Sequence, residues 1–409
     1  MTASVETGPS VLPEYPQPRA QGCPFDPSPG VRALQAQSPV TRVRLWDGST
    51  PWLITRHADI RAVLADPRVS ADSTRDGYPT QSAAVSARRA EARSFIAMDD
   101  PDHARLRRMV TAPFTVRRIE TMRPAVQRVV DQLLDDLVAG PKPADLVQKF
   151  ALPVPSLVIC DLLGVPYDDH GFFQENSRLL VKRDVLPQDA LAAQRNLVGY
   201  IDDLIGRKLA EPGDDLLSDL ATQRVTTGEL SRRDVATLGM LLLVAGHETT
   251  ANMIALGTVA LLEHPDQLAA LRDTDDPKLV AGAVEEMLRY LTITHTGRRR
   301  VAVADLEVGG QTIRAGEGIV LAGEIGNRDP ETFADPDRLD IHRDARRHVA
   351  FGFGVHQCLG QPLARVELQV VYGSLFRRLP ALRLATGLDR IPFKNDGQVY
   401  GVYQLPVTW

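Results

Sequence analysis

Cys358 stands in the run Phe351-Gly-Phe-Gly354-Val-His356-Gln-Cys358-Leu-Gly360, directly ahead of a helical pattern from Leu363 to Tyr372. That spacing predicts a thiol at or just before a helix N-terminus, where unpaired backbone N–H groups and the positive end of the dipole favour the thiolate. A thiolate is a nucleophile or a metal ligand, and glycines on both sides let the loop fold tightly and leave room for a flat ligand. The other two cysteines read differently: Cys160 lies in the apolar run Leu157 to Leu163 and Cys23 in a loose leader, both as small hydrophobes. Three widely separated cysteines form neither a disulfide framework nor a CxxC motif. A dinucleotide-binding loop would need glycine at position 357, which is Gln.

A second chemical cluster is Gly246-His247-Glu248-Thr249-Thr250, which interrupts an otherwise apolar helical stretch. A carboxylate there carries a large desolvation cost unless it is paired or wet. A structural reading has Thr bonding to a carbonyl one turn back and Glu pairing with a basic neighbour. The functional reading is a helix that lines a cavity, with Gly246 letting a ligand approach and Thr249 and Glu248 supplying an alcohol and an acid. A zinc HExxH site fails because the fifth position is Ala251.

These clusters need elements to hold them. Ser231 followed by Asp234 resembles a capping box, and the pattern runs without Pro from Arg232 to about Glu263. Such a helix would be roughly 48 Å long, against a radius of gyration of roughly 22 Å for a globule of this size, so it must cross the molecule. Asp47-Gly48 predicts a hairpin between Val40–Trp46 and Pro51–Thr55, Gly309-Gly310 a second, and Leu382 to Trp409 a third β region. The rest is helical in period, which predicts a mainly α chain with small β-sheets: a leader over 1–30, expected to be flexible, and a single domain over 31–409. Hydrophobic residues make up 44% and charged residues 24%, as in ordinary globular proteins. The net charge is only −5, with all but six of the 47 basic residues arginine, and no block of like charge points to nucleic acid or an anionic membrane. The leader lacks the features of a signal peptide, and the longest near-apolar run, Val235 to Gly246, falls short of the roughly 20 residues of a span. A cytoplasmic protein with no membrane association is expected.

Taken together, four segments resemble one family. Phe351-x-x-Gly354-x-His356-x-Cys358-x-Gly360 is similar to the haem-binding loop of cytochrome P-450 enzymes, and Ala245-Gly246-x-Glu248-Thr249-Thr250 resembles their oxygen-activating helix motif. Glu286-Met-Leu-Arg289 looks like the family's ExxR, and Phe333-Ala-Asp-Pro336-Asp-Arg338 like the segment whose arginine, here Arg338, joins that pair. The resemblance runs from the first hairpin to Trp409 and implies the cytochrome P-450 fold, with haem b between a long central helix and the cysteine loop. It makes Cys358 the iron ligand, His103, Arg107, Arg300 and His356 the partners of the haem propionates, and Glu248 and Thr249 the proton relay toward bound O2. Arg298 and Arg299 leave the register of Arg300 open. One oxygen atom would enter a C–H bond of a fairly large apolar small molecule: a polyketide or macrolide, a secosteroid or a xenobiotic. The walls of its pocket would come from 71–96, 172–185, 241–245, 293–297 and 399–400. Electrons would come from a separate ferredoxin and its reductase, with Arg105, Arg108, Arg346 and Arg347 as docking candidates, and the protein is expected to be a monomer. Oxidative coupling or epoxidation, or ligand binding by haem without turnover, are the alternatives.

Overall fold

The computed structural model describes residues 12–91 and 93–409. Ser231 and Asp234 exchange side-chain and backbone hydrogen bonds, and the central helix they start runs over Arg232–Leu262, 31 residues, about 46 Å at the α-helical rise. It packs against the helices Pro153–Leu163, Pro187–Ala210 and Gln361–Arg378, with the largest hydrophobic cluster around it. The crossing with the last of these is close: Tyr372 donates its hydroxyl to Met253 O at 2.6 Å, and a Cβ on Gly257 would lie 2.0 Å from that hydroxyl oxygen.

The predicted hairpins form. Val40–Arg42 pairs antiparallel with Trp52–Ile54, and Gly48 takes the positive φ of the turn. Leu306–Val308 pairs with Gln311–Ile313 around Gly309-Gly310. The outer parts of that second region join a five-stranded sheet instead, in which Arg298–Ala302 lies between Val69–Ser70 and Gly318–Leu321. At the C-terminus, Pro406–Thr408 pairs with both Arg383–Leu384 and Ala144–Asp145.

Two expectations need correction. Within the expected leader, residues 1–11 lie outside the described residues, while residues 12–30 are held against the protein. Tyr15 is buried and donates to Glu324 at 2.9 Å, and Arg19 donates to the carbonyls of Phe25, Leu291 and Thr292. The Pro- and Gly-rich composition reflects irregular backbone and not loose packing. The second correction concerns Glu286 and Arg289, which form a fully buried bidentate pair with both contacts at 2.7 Å. Arg338 does not join it: its side chain is exposed and pairs with Asp340, and only its carbonyl faces Arg289. Arg343 reaches Glu286 at 3.2 Å instead, because the turn beginning at Asp335, which has φ +44°, returns the chain to the pair five residues later than expected.

Candidate active site

The cysteine loop is built from its backbone outward. Gly354 sits at φ +73°, and a Cβ there would lie 2.5 Å from Leu64 O, so the turn requires glycine. The Cys358 N–H donates to Phe351 O at 2.9 Å and closes the loop, and the helix Gln361–Arg378 begins three residues on. Cys358 is exposed, but onto a cavity of about 470 Å³ whose opposite wall is Leu241, Val244, Ala245 and Thr249 of the central helix. A second cavity of about 260 Å³ shares Ala245, Thr249, Phe351 and Cys358 with the first. The acid–alcohol cluster and the thiol thus face one cleft.

Burial pushes the Cys358 thiol up, against the Gly360 N–H and the charges of Arg298, Arg107 and Arg365, which pull it down. A cation bound at the sulfur would add to the groups that favour the thiolate.

Beside the thiol, four expected groups are gathered. His103 is buried, and its ring lies 4.0 Å from that of His356. Its Nδ1 meets Asp100 at 2.9 Å, while His103 Nε2 and His356 Nδ1 are buried without partners. His356 is pushed down to about 3 by burial and by the charges of Arg300 and His103. Arg107 donates to Gln357 O at 2.6 Å, next to the thiol. Arg300 lies in the strand Arg298–Ala302, buried against Tyr78 and Asp99. Strand alternation sends neighbours to opposite faces: Arg299 turns to Tyr15, while Arg298 donates to Ala350 O at 2.6 Å and feels the Cys358 charge. Two orphaned imidazole nitrogens among arginines make a site for an anionic group such as the propionates of a haem, so the donor set fits that cofactor: cations for carboxylates, a thiol for iron, and a cleft between.

On the facing wall, Thr249 donates to Ala245 O at 2.8 Å. Glu248 is buried, with Lys394 Nζ at 3.9 Å from one oxygen and His247 Nε2 at 4.0 Å from the other. His247 has no exposed surface, bonds to Leu243 O through Nδ1 and is pushed down by burial; it is a packing residue. Gly246 does line the cleft, but the Cβ it omits would lie 2.5 Å from Ile159 Cγ1, so its smallness serves helix packing before ligand approach.

The expected pocket walls line the larger cavity in part: Val85, Arg88 and Ile96, Leu180 and Val181, Thr294 and Thr296, and Val399. Phe172 points outward and Tyr400 is buried behind the wall. Sequence reasoning missed Gln194, Gln398 and the Lys394 contact; nothing local marks Lys394, since its role depends on how the C-terminal strands return to the central helix.

A family model for cytochrome P-450 matches residues 36–386. The chain is similar to the cytochrome P-450 GfsF of Streptomyces halstedii, at 58% identity over all of this chain and 99% of that protein. It is also similar to the vitamin D3 dihydroxylase of Streptomyces griseolus, at 48% identity over 97% of each. The crystal structure of GfsF superposes with a TM-score of 0.91 over 97% of this chain and 100% of that one. The mycinamicin VIII C21 methyl hydroxylase MycCI of Micromonospora griseorubida, bound to mycinamicin VIII, does so with a TM-score of 0.91 at 42% identity, over 97% of this chain and 100% of its own. Matches of this extent and identity mean that the chain belongs to the cytochrome P-450 family, as one of its monooxygenases.

Proposed function

We propose that this chain, as a single domain over residues 31–409, binds haem b and hydroxylates a fairly large, mainly apolar small molecule. The observation that carries the reading is the opening of Cys358 onto the cleft opposite Ala245 and Thr249. Cys358 would hold the iron, and His103, Arg107, Arg300 and His356 the propionates, with Arg298 beside them. When bound, a haem iron with a cysteinate ligand supplies dioxygen activation. The chain's own part is proton handling and exclusion of water. The Thr249 hydroxyl donates to Ala245 O and keeps its lone pairs free toward the cavity, so it accepts a proton-bearing water there. Glu248, faced by Lys394 at 3.9 Å and not locked by hydrogen bonds, moves protons from the Lys394 side to that hydroxyl.

The names of the relatives support a macrolide- or secosteroid-sized substrate: a macrolide hydroxylase and a vitamin D3 dihydroxylase share the fold and most of the length. Electrons would come from a separate ferredoxin. Arg105, Arg108 and Arg347 are exposed on the helix that carries Arg107 and on the segment entering the cysteine loop, while Arg346 is exposed but paired with Asp344 at 2.8 Å. Among the described residues no helix is long and apolar enough to cross a membrane, which accords with a cytoplasmic site of action. The test is the reduced carbon monoxide complex of the purified holoprotein, which should show the thiolate-ligated Soret band. Cys358→Ala should abolish that band; its persistence would defeat the ligand assignment.

A further inference from the structure

The larger cavity holds a positive charge that the haem site does not use. Arg88 and Arg89 lie on the short helix Ala83–Glu91 and both line the cavity. Among the described residues neither has a carboxylate within ion-pair distance, and Arg88 Nε and Arg89 Nη1 are buried without hydrogen-bond partners. Burial and the neighbouring charge of Arg89 bring Arg88 down to about 10. The one carboxylate on the cavity wall, Glu248, is already faced by Lys394.

The two arginines differ in what surrounds them. Arg89 stands over the Tyr78 ring and acts on Arg299 and Arg300, so it belongs to the side where the propionates would lie. Arg88 is turned toward Leu180, at the C-terminal end of the helix His170–Val181. Its Nη2 donates to Leu180 O at 3.0 Å, which satisfies one of five N–H donors. That carbonyl already receives the Gln398 amide at 2.9 Å, so capping this helix does not require a guanidinium. A cation in a cavity wall without a counter-charge is costly in the empty protein and becomes favourable once an anion arrives.

We infer that Arg88 is a substrate-anchoring residue and that the preferred substrates are apolar molecules bearing one carboxylate. The inference rests on the monooxygenase reading above and narrows its substrate class. Val85, Leu180, Leu241 and Val244 on the same cavity wall would take the apolar body, and the guanidinium would take the carboxylate through charge-assisted, two-pronged hydrogen bonds.

The experiment uses the haem-loaded full chain, with myristic acid and a steroid carboxylic acid as probes, each beside its methyl ester. Dissociation constants are read from the Soret spin-state shift and by calorimetry. The acids should bind about tenfold tighter than their esters, the scale of one hydrogen bond to a charged group. Arg88→Gln should erase that preference by weakening the acids about tenfold while the esters stay within about twofold, and Arg88→Lys should keep part of it. An intact reduced carbon monoxide band in each variant shows that the fold and haem site survive. Esters that match the acids, no binding by either acid, or a preference that persists in Arg88→Gln would each overturn the assignment. Loss of the thiolate band in the parent protein would instead defeat the monooxygenase reading beneath it.

Discussion

Glu286 and Glu248 are both buried glutamates on long helices, yet their surroundings are opposite. Glu286 has no exposed surface and is closed in on every side: two contacts to Arg289 at 2.7 Å, the Asp340 N–H at 2.9 Å and Arg343 at 3.2 Å. Glu248 has only Lys394 at 3.9 Å and the buried His247 ring at 4.0 Å, and it borders the cavity. A carboxylate with every lone pair engaged holds backbone segments in place and cannot pass on a proton without breaking the structure. One that is loosely held can take and release a proton at little structural cost. The sequence motif around each is equally short; the partners are what separate a fastener from a reactive group.

The widest separation should come from Glu286→Ala. It leaves the buried Arg289 guanidinium uncompensated, a loss on the order of 3–5 kcal/mol, and strips the Asp340 N–H and the Arg343 guanidinium of their acceptor. Denaturant unfolding should show that loss together with poor haem retention. Stability near that of the parent would mean that the two glutamates do not differ as argued.

Glu248→Gln should do the reverse. Stability should move far less than in Glu286→Ala, since the Glu248 side chain makes no hydrogen bond and its nearest cation, Lys394, lies 3.9 Å away, while product formation falls about 100-fold, the lower end of general acid–base effects. Single-turnover kinetics beside a melting curve reads both. Thr249→Ala comes next: haem and substrate binding stay intact, turnover of reductant falls only a few-fold, and electrons are diverted to hydrogen peroxide. Fully coupled product formation would remove Thr249 from the relay and leave Glu248 acting alone.

The same contrast explains what was legible in the sequence. Cys358, Glu248, Thr249 and the capping box at Ser231 are local patterns whose geometry depends on a few adjacent residues, and the helix and loop that carry them form where the spacing put them. Partners contributed by distant segments were not legible. Arg343 was missed in favour of Arg338 because the choice depends on one left-handed residue, Asp335. Residues 12–30 looked loose because Tyr15 and Arg19 find their partners some 270 to 310 positions away. The run of three arginines from 298 sorts itself only once the strand has a defined inside.

A third glutamate sharpens the comparison, with the smallest expected effect. Glu367, on the helix after the cysteine loop, is fully buried with Thr250 as its polar neighbour; neither carboxyl oxygen makes a hydrogen bond, and burial raises it to about 8. It resembles Glu286 in depth and Glu248 in lacking close partners, so it should behave as a neutral acid at neutral pH. The folded protein keeps this proton up to about pH 8, whereas the unfolded chain gives it up near the ordinary value of 4.5. Between those limits the unfolded state binds fewer protons, so stability must fall as pH rises. Glu367→Gln keeps the shape and removes the ionisation. Relative to the parent it should gain stability at pH 8 over pH 5, flattening the fall between. Denaturant midpoints at the two pH values would show this; an equal shift at both would mean that Glu367 is ionised in the folded protein and has a counter-charge after all.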